Sequence, residues 1–312
     1  MILTVTANAA IDKRYVTSGF EPGSVNRVKE CAYSAGGKGL NVSRAAAIAG
    51  EQVTATGFLG GHAGRYIEEQ LSGSGIRSEF IWCRGESRSC INIWDESSRT
   101  QTELLEPGFT VDEKDADRLA ARFSELVGSC QAAAISGSLP SGADTLLYKR
   151  LLDIGRKAGK KVILDTSGKL LEDCIDSQPF MIKPNTDEIG MLLGRTVDPT
   201  DHADLLDAAS KLHEKGISCV VISLGSEGSV MSCSEGAFYA RVPKIDAVNT
   251  VGCGDSMIGG FTVGLSLGLS MEECLRLASG ISASSAMTME TGSYRPSDLK
   301  MILPQIKITR LR

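Results

Sequence analysis

Short apolar runs rich in β-branched residues alternate with amphipathic segments along most of the chain. Such runs predict buried strands, at residues 2–6, 53–58, 132–135, 162–165, 180–183 and 219–224. The amphipathic segments 144–157 and 203–215 predict helices, because a glycine follows each one closely and glycine commonly ends a helix. A capping box at 270–273 predicts a further helix to about residue 287. Strands that alternate with helices are typical of an α/β protein with a mostly parallel sheet.

Two stretches break this alternation. Residues 12–33, and residues 89–106 around a turn at 96–98, have the composition of antiparallel β-structure. Because both are inserted between α/β elements, we predict a small β-sheet that projects from the core as a lid over a cleft, with lid segments at about 12–34 and 84–107. No repeat or low-complexity linker separates these parts, so one domain should span 1–312.

Composition and charge narrow the class of protein. The 312 residues are 42% apolar and 23% charged with a mean hydropathy of -0.02, which is typical of a soluble globular chain. A net charge of -5 argues against broad nucleic-acid binding, which needs a basic surface. The apolar start at 1–10 lacks the basic region and the length of a signal peptide, so we interpret it as a buried strand. We expect neither a membrane nor a nucleic-acid partner.

The cysteines and histidines give little support for a zinc site. Nine cysteines are scattered without a CxxC pair, and the three histidines form no HExxH motif. An odd, scattered set of cysteines is typical of reduced thiols that behave as small apolar residues, which fits a cytoplasmic protein.

The segment 249–256, Asn-Thr-Val-Gly-Cys-Gly-Asp-Ser, is the sharpest motif and precedes a helical stretch. Gly252 and Gly254 would let the backbone approach an anion, and the N–H groups at a helix start would point at a phosphate. An acid beside an anion site is unfavourable unless it has a task, and Asp255 could accept the proton of an attacking hydroxyl. The alternative is that Asp255 is only an N-cap beside a glycine turn.

A second glycine cluster lies at 35–42, Ala-Gly-Gly-Lys-Gly-Leu-Asn-Val, ahead of an alanine-rich helical run. It is not a Walker A loop, since glycine rather than serine or threonine follows Lys38. Neither cluster forms the dinucleotide fingerprint, which leaves a nicotinamide-dependent oxidoreductase without support. A glycine-lined floor for a polyol, with polar contacts from Lys38 and Asn41, is the functional interpretation. A turn packed closely on a helix is the alternative.

Two further segments follow predicted strands. Asn185 and Glu188 stand three apart at a helix start, where their oxygens suit Mg²⁺ and its waters, although plain capping is the favoured alternative on this motif alone. The segment 223–228 ends another strand with two glycines, where open α/β sheets bind ligands; its alternative is an ordinary tight turn. Arg88 heads a lid strand and could pair with a substrate phosphate, or be solvated surface.

Taken together, these motifs resemble the PfkB group of ribokinase-like carbohydrate kinases over essentially the whole chain. The branch with 1-phosphofructokinases and tagatose-6-phosphate kinases is the most similar. The matching segments are 8–13, 25–28, 35–42, 136–140, 183–188 and 250–256. The resemblance implies a ribokinase-like three-layer α/β/α core with a small β-sheet lid. The chain departs from the family pattern in having Cys253 where alanine or serine is usual, and Ala9 where proline is usual.

The resemblance also implies a role for each candidate site residue. Asp255 would be the catalytic base, and the backbone of Gly252, Cys253 and Gly254 would form the anion hole. Asp12, Gly37 and Asn41 would hold the sugar hydroxyls, with Ser138 as a further substrate contact. Lys38 and Arg88 would hold the substrate's phosphate, and Arg27 is a further candidate for the same phosphate. ATP would be held by Lys183, Asn185, Ser223, Gly225 and Gly228, and Mg²⁺ by Asn185 and Glu188 through waters.

The implied reaction is ATP-dependent phosphorylation of a ketohexose monophosphate to a 1,6-bisphosphate. Tagatose 6-phosphate and fructose 1-phosphate both stay open, because residues 88–91 look like the first branch and residues 249–251 and 307–311 like the second. A catalytically idle sugar-phosphate or nucleotide-binding regulator on the same fold is the alternative outside enzymes. An exposed lid sheet would let two copies pair as a homodimer.

Overall fold

A computed structural model describes residues 1–312, which form fifteen strands and ten helices. The strands are β1 (Ile2–Thr6), β2 (Ala10–Thr17), β3 (Glu30–Gly36), β4 (Val53–Leu59), β5 (Arg77–Ser78), β6 (Ile81–Trp82), β7 (Arg88–Asp95), β8 (Thr100–Leu105), β9 (Ala132–Ser136), β10 (Lys161–Asp165), β11 (Met181–Ile182), β12 (Cys219–Ser223), β13 (Ser229–Cys233), β14 (Gly236–Arg241) and β15 (Lys307–Arg310). The helices are α1 (Lys38–Ile48), α2 (Gly61–Gly73), α3 (Glu113–Val127), α4 (Leu146–Lys157), α5 (Gly168–Cys174), α6 (Thr186–Leu193), α7 (His202–His213), α8 (Cys253–Ser266), α9 (Met271–Ala286) and α10 (Pro296–Ile302). The six strands and three helices predicted from the sequence are all present.

Eleven strands form one central sheet. Its order is β15-β14-β13-β12-β11-β10-β9-β1-β4-β5, and β6 pairs with the end of β4. In this order, the strands from β12 through β9, β1 and β4 to β5 run parallel to their neighbours. The strands β13, β14 and β15 pair antiparallel at the other end of the sheet. Parallel neighbours need long crossover connections, and helices supply most of them. The mostly parallel sheet predicted from the strand–helix alternation is therefore confirmed.

Both faces of the central sheet are covered by helices. Along β9, Ala133 and Ile135 belong to one apolar core, while Ala132 and Ala134 belong to another on the opposite face. Side chains of α3 to α7 fill the first core, and side chains of α1, α8 and α9 fill the second. Alternate side chains of a strand point to opposite faces, so both cores draw on the same strands. The result is the three-layer α/β/α core that was predicted.

A second sheet, here called the lid sheet, contains β3, β2, β7 and β8 in that order. β3 pairs with β2, and β8 with β7, in antiparallel fashion, but β2 and β7 run parallel, with Ala10 opposite Arg88. Both strands leave the core at these residues and run outward in the same direction. The separate sheet was predicted, whereas its parallel central pair was not, because the antiparallel pattern was inferred from each segment alone.

Other features bear on the classes considered above. The nine cysteines are free thiols. No group of three or more His, Cys, Asp or Glu side chains has the geometry to hold a metal ion. No helix combines the length and the apolar character needed to cross a membrane.

Candidate active site

A cleft of about 940 Å³ lies between the lid sheet and the carboxyl ends of the central strands. Eight of the predicted site residues line it: Asp12, Gly37, Lys38, Asn41, Arg88, Ser138, Gly252 and Asp255. They come from segments up to about 240 residues apart in the chain. The carboxyl end of a parallel sheet is where α/β proteins bind their ligands, because loops and helix N-termini converge there.

Asp255 is the third residue of α8 and is almost completely buried, with 7% of its surface exposed. The side-chain amide of Asn41 donates a 2.8 Å hydrogen bond from Nδ2 to Asp255 Oδ2. Burial, assisted by the charge of Asp165, raises the pKa of Asp255 to about 6, while Lys38, the Asn41 bond and Lys183 oppose the rise. Such a carboxylate is ionised at neutral pH and is well matched to accept a proton.

The start of α8 has the geometry of an anion site. Its N-cap is Gly252, in a left-handed conformation with φ of 77°, and no side chain caps the helix. The interpretation of Asp255 as an N-cap is therefore wrong. The backbone N–H groups of Gly254 and Asp255 donate to no backbone carbonyl and remain available for a ligand. Burial raises the pKa of the Cys253 thiol to about 11, so this unusual residue is a neutral thiol.

Two lysines converge on Asp165 beside this helix start. Lys38 Nζ lies 3.8 Å from Asp165 Oδ2, and Lys183 Nζ lies 3.8 Å from Asp165 Oδ1. Asp165 raises the pKa of Lys38, which therefore stays charged at neutral pH. A side chain at Gly254 would place its Cβ 3.3 Å from Lys183 Nζ, so glycine leaves room for this ammonium group over the helix start.

Asp165 was missed by the sequence analysis. It is the last residue of β10, at the carboxyl end of a parallel strand, and only 5% of its surface is exposed. Its position at the end of an apolar strand was the available signal, since charged residues are rarely buried without a partner. We infer that it holds the two lysines in place.

Asp12 faces the cleft from the lid strand β2, opposite β3. A Cβ at Gly36 would lie 2.0 Å from Asp12 Cγ, so only glycine lets the carboxylate occupy this position. Burial raises the pKa of Asp12 to about 6, against the opposing charges of Arg44 and Arg88, and the charge of Asp255 adds to the rise. Asp12 therefore lies within electrostatic reach of both Asp255 and the lid arginine.

The arginines of the lid sheet differ in position. Arg88 lines the cleft, where its Nε donates to Asn8 O at 3.2 Å and its Nη1 to Glu106 O at 3.3 Å. Arg14, which the sequence analysis did not select, also lines the cleft, and its buried Nη1 has no hydrogen-bond partner. Arg27 is exposed between β2 and β3 and does not line the cleft of the single chain.

The predicted nucleotide and metal residues lie next to one another at the ends of β11 and β12. The backbone N–H of Ser223 donates to Pro184 O at 3.0 Å, which joins this strand end to Asn185. Asn185 and Glu188 form a reciprocal capping box, with bonds of 2.8 and 2.9 Å, so the capping interpretation is confirmed.

The capping box leaves the other carboxylate oxygen of Glu188 free, and Glu188 lies close enough to Lys38 to influence its pKa. A free carboxylate oxygen beside a phosphate site fits Mg²⁺, which keeps several waters and needs few protein ligands. Gly225 and Gly228 bound the 3₁₀ turn that follows β12, outside the cleft described above.

A three-layer α/β core, a separate lid sheet and a buried carboxylate at an open helix N-terminus define the ribokinase-like class of phosphotransferase. Residues 3–298 match the sequence profile of the pfkB family carbohydrate kinases. The chain belongs to this family.

Relatives with names and solved structures support the family. A tagatose-6-phosphate kinase of Staphylococcus epidermidis is 38% identical over 310 residues, which cover 99% of each chain. The structure of phosphofructokinase-2 from Escherichia coli with fructose-6-phosphate has a TM-score of 0.88 at 26% identity and covers 97% of this chain and 98% of that one. A Thermotoga maritima structure named as a possible 1-phosphofructokinase has a TM-score of 0.87 at 26% identity over the full length of both chains.

Proposed function

We propose that this protein transfers the γ-phosphoryl group of ATP to the free primary hydroxyl of a ketohexose monophosphate. The observation that carries the proposal is Asp255, a buried carboxylate at the N-terminus of α8 beside two unpaired backbone N–H groups. Asp255 accepts the hydroxyl proton, the sugar oxygen bonds to the γ-phosphorus, and the bond from that phosphorus to the bridging oxygen of ADP breaks. The products are a ketohexose 1,6-bisphosphate and ADP.

Charge stabilisation by the surrounding groups supports this chemistry. The free N–H groups of Gly254 and Asp255 would donate to the transferring phosphoryl group, with Lys183 beside them. Lys38 was predicted to hold the substrate's existing phosphate. Because Lys38 approaches Asp165, next to Lys183 and the start of α8, we propose that it contacts the transferring phosphoryl group instead. Mg²⁺, when bound through waters near Glu188, would neutralise charge on the nucleotide phosphates.

The sugar would lie between Asp255 and the lid sheet. Asp12, Gly37 and Asn41 would contact its hydroxyls, with Ser138 as a further contact, because all four line the cleft. Its existing phosphate would meet Arg88 and the unpaired Nη1 of Arg14. An arginine with a free, buried donor in a cleft is well suited to bind a phosphate oxygen. The nucleotide would lie toward the ends of β11 and β12.

Of the two substrates, tagatose 6-phosphate comes first. The Staphylococcus epidermidis relative at 38% identity carries that activity in its name. Fructose 1-phosphate is the second candidate because of the Thermotoga maritima relative and the matching segments 249–251 and 307–311.

Mg-ATP turnover on tagatose 6-phosphate, fructose 1-phosphate and fructose 6-phosphate, with fructose as control, tests the proposal. A strong kcat/KM preference for one monophosphate supports a sugar-phosphate kinase and identifies its substrate. ATP binding without turnover on any of the four sugars would favour the idle regulator instead.

We also propose that two copies pair through the lid sheet. Tyr33 on β3 and Leu104 on β8 are exposed apolar residues on the same face of this sheet, because both lie in register with Lys13 and Ile91, and an exposed apolar surface tends to associate. A related Escherichia coli phosphofructokinase-2 is described as a tetramer in its inhibited form. Light scattering should give twice the chain mass, and Leu104→Glu should reduce it; an unchanged mass would contradict pairing through the lid.

A further inference from the structure

Arg44 lies one turn beyond Asn41 on α1, where it is half-buried and lines a smaller cavity next to the cleft. Its Nη1 donates to Asn41 Oδ1 at 3.1 Å and to Thr291 O at 2.6 Å, and its Nη2 donates to Ala35 O. Arg44 does not line the cleft itself. The guanidinium therefore holds one side chain of the site and two backbone segments that meet behind it.

This contact determines which way the Asn41 amide points. A guanidinium has only donors, so the group of Asn41 that faces Arg44 must be its carbonyl oxygen. The amide nitrogen then faces Asp255 and donates to Oδ2 at 2.8 Å. The flipped amide would place two donors against each other at Arg44 and two acceptors against each other at Asp255.

The surroundings leave the Asn41 side chain little freedom. A Cβ at Gly292 would lie 2.5 Å from Asn41 Cβ, so the chain that carries Thr291 passes directly over this side chain. With Oδ2 of Asp255 occupied by the amide, Oδ1 has no hydrogen-bond partner and is the oxygen that remains for a substrate hydroxyl.

We propose that Arg44 is a positioning residue that acts through Asn41, by fixing the amide that orients the Asp255 carboxylate and leaves Oδ1 free to accept the substrate's proton. The inference rests on the proposed role of Asp255 as the base. It concerns a residue that does not line the cleft.

The hydrogen bond from Asn41 also stabilises the ionised form of Asp255. The other charged groups that face Asp255 are Asp165 and Asp12, which disfavour its ionisation, and Lys38 and Lys183, which favour it. Removing the Asn41 bond should therefore raise the pKa of Asp255, and the acid limb of the kcat profile should move to higher pH.

The test compares the pH dependence of kcat for Asn41→Leu, Arg44→Lys and the double variant. Asn41→Leu keeps the branched shape of the side chain, although leucine is larger, and removes the hydrogen bond, so its acid limb should rise by about one pH unit. Arg44→Lys keeps the positive charge near Asp12 but loses the fork that holds the amide and the carbonyls. Its acid limb should move in the same direction, with a roughly tenfold fall in kcat on the plateau.

The double variant distinguishes positioning from a general loss of structure. If Arg44 acts through Asn41, then Arg44→Lys should shift the acid limb no further once Asn41 is leucine. An equal further shift in the double variant would overturn the proposal. Should Arg44→Lys fail to fold, an unmoved acid limb in Asn41→Leu alone would overturn it too.

Arg276→Lys provides a matched control. Arg276 lies on α9 and donates from Nη1 to Ile306 O at 2.6 Å, but it does not contact the site. It should leave the pH profile unchanged, even if the free energy of unfolding falls. Asp255→Asn tests the proposed base by itself, and normal kcat in that variant would contradict the role of Asp255. Low kcat in Asp255→Asn, together with an unchanged acid limb of the kcat profile in Asn41→Leu, would contradict only the role of Arg44.

Discussion

Burial in the lid sheet makes the carboxyl group of Asp12 costly to ionise. Replacement of Asp12 by asparagine should therefore stabilise the protein. The pKa of Asp12 rises from 3.8 to about 6, chiefly because burial disfavours the charged form. About 2 pKa units correspond to about 3 kcal/mol at about 1.4 kcal/mol per unit. Because Asp12 keeps partial contact with the cleft, we expect Asp12→Asn to raise the free energy of unfolding by about 2 kcal/mol at pH 8.

The sign of this effect depends on pH. Below about pH 4 the carboxyl group is protonated in both the folded and the unfolded chain, so the substitution should have little effect there. Between pH 4 and 6 the unfolded chain ionises first, which favours unfolding of the original protein. The increase in the free energy of unfolding caused by Asp12→Asn should therefore develop between about pH 4 and 6 and remain constant above about pH 6.

Urea unfolding of the substrate-free protein, followed by circular dichroism between pH 4.5 and 8, measures the gain. Asp95→Asn is the matched control in the same sheet, because hydrogen bonds from Gly19, Ser97 and Ser98 lower the pKa of Asp95. The ionised side chain of Asp95 stabilises the fold at pH values above the pKa that this group has in the unfolded chain. Its replacement should therefore destabilise the protein at pH 8. A pH-independent gain for Asp12→Asn, or a loss at pH 8, would refute the reasoning. Turnover should fall in this variant, as expected of a residue that holds the sugar.

Three other substitutions test separate parts of the site. Asp255→Asn should lower kcat by roughly 10²- to 10⁴-fold while the fold stays intact, and near-normal kcat would contradict its role as base. Gly36→Ala should displace Asp12 by more than about 1 Å and lower kcat/KM by roughly 10²-fold, whereas Gly73→Ala, which meets no atom within 4 Å and, like Gly36, does not lie at positive φ, controls for stability alone. Glu188→Gln keeps the capping oxygen but loses the charge, so the Mg²⁺ concentration for half-maximal rate should rise roughly tenfold; an unchanged requirement would exclude Glu188 from the metal site.

The local elements of this protein were determined by the sequence alone. Strand, helix and capping patterns depend on neighbours within a few residues, and the predicted strands and the capping boxes at 185–188 and 270–273 are present. The motif at 249–256 also indicated correctly that Asp255 stands at a helix start next to glycines. These features could be predicted because hydrophobic periodicity and caps act over one or two turns.

Tertiary structure alone decided which distant residues meet. The Asn41–Asp255 bond joins residues 214 positions apart, and the contacts of Asp165 with Lys38 and Lys183 come from three different segments. No local motif around Arg44 predicts the three hydrogen-bond acceptors that it contacts. Such contacts depend on how the helices pack on both faces of the central sheet and where the lid sheet leaves it, and packing of that kind is a property of the whole chain rather than of any one segment.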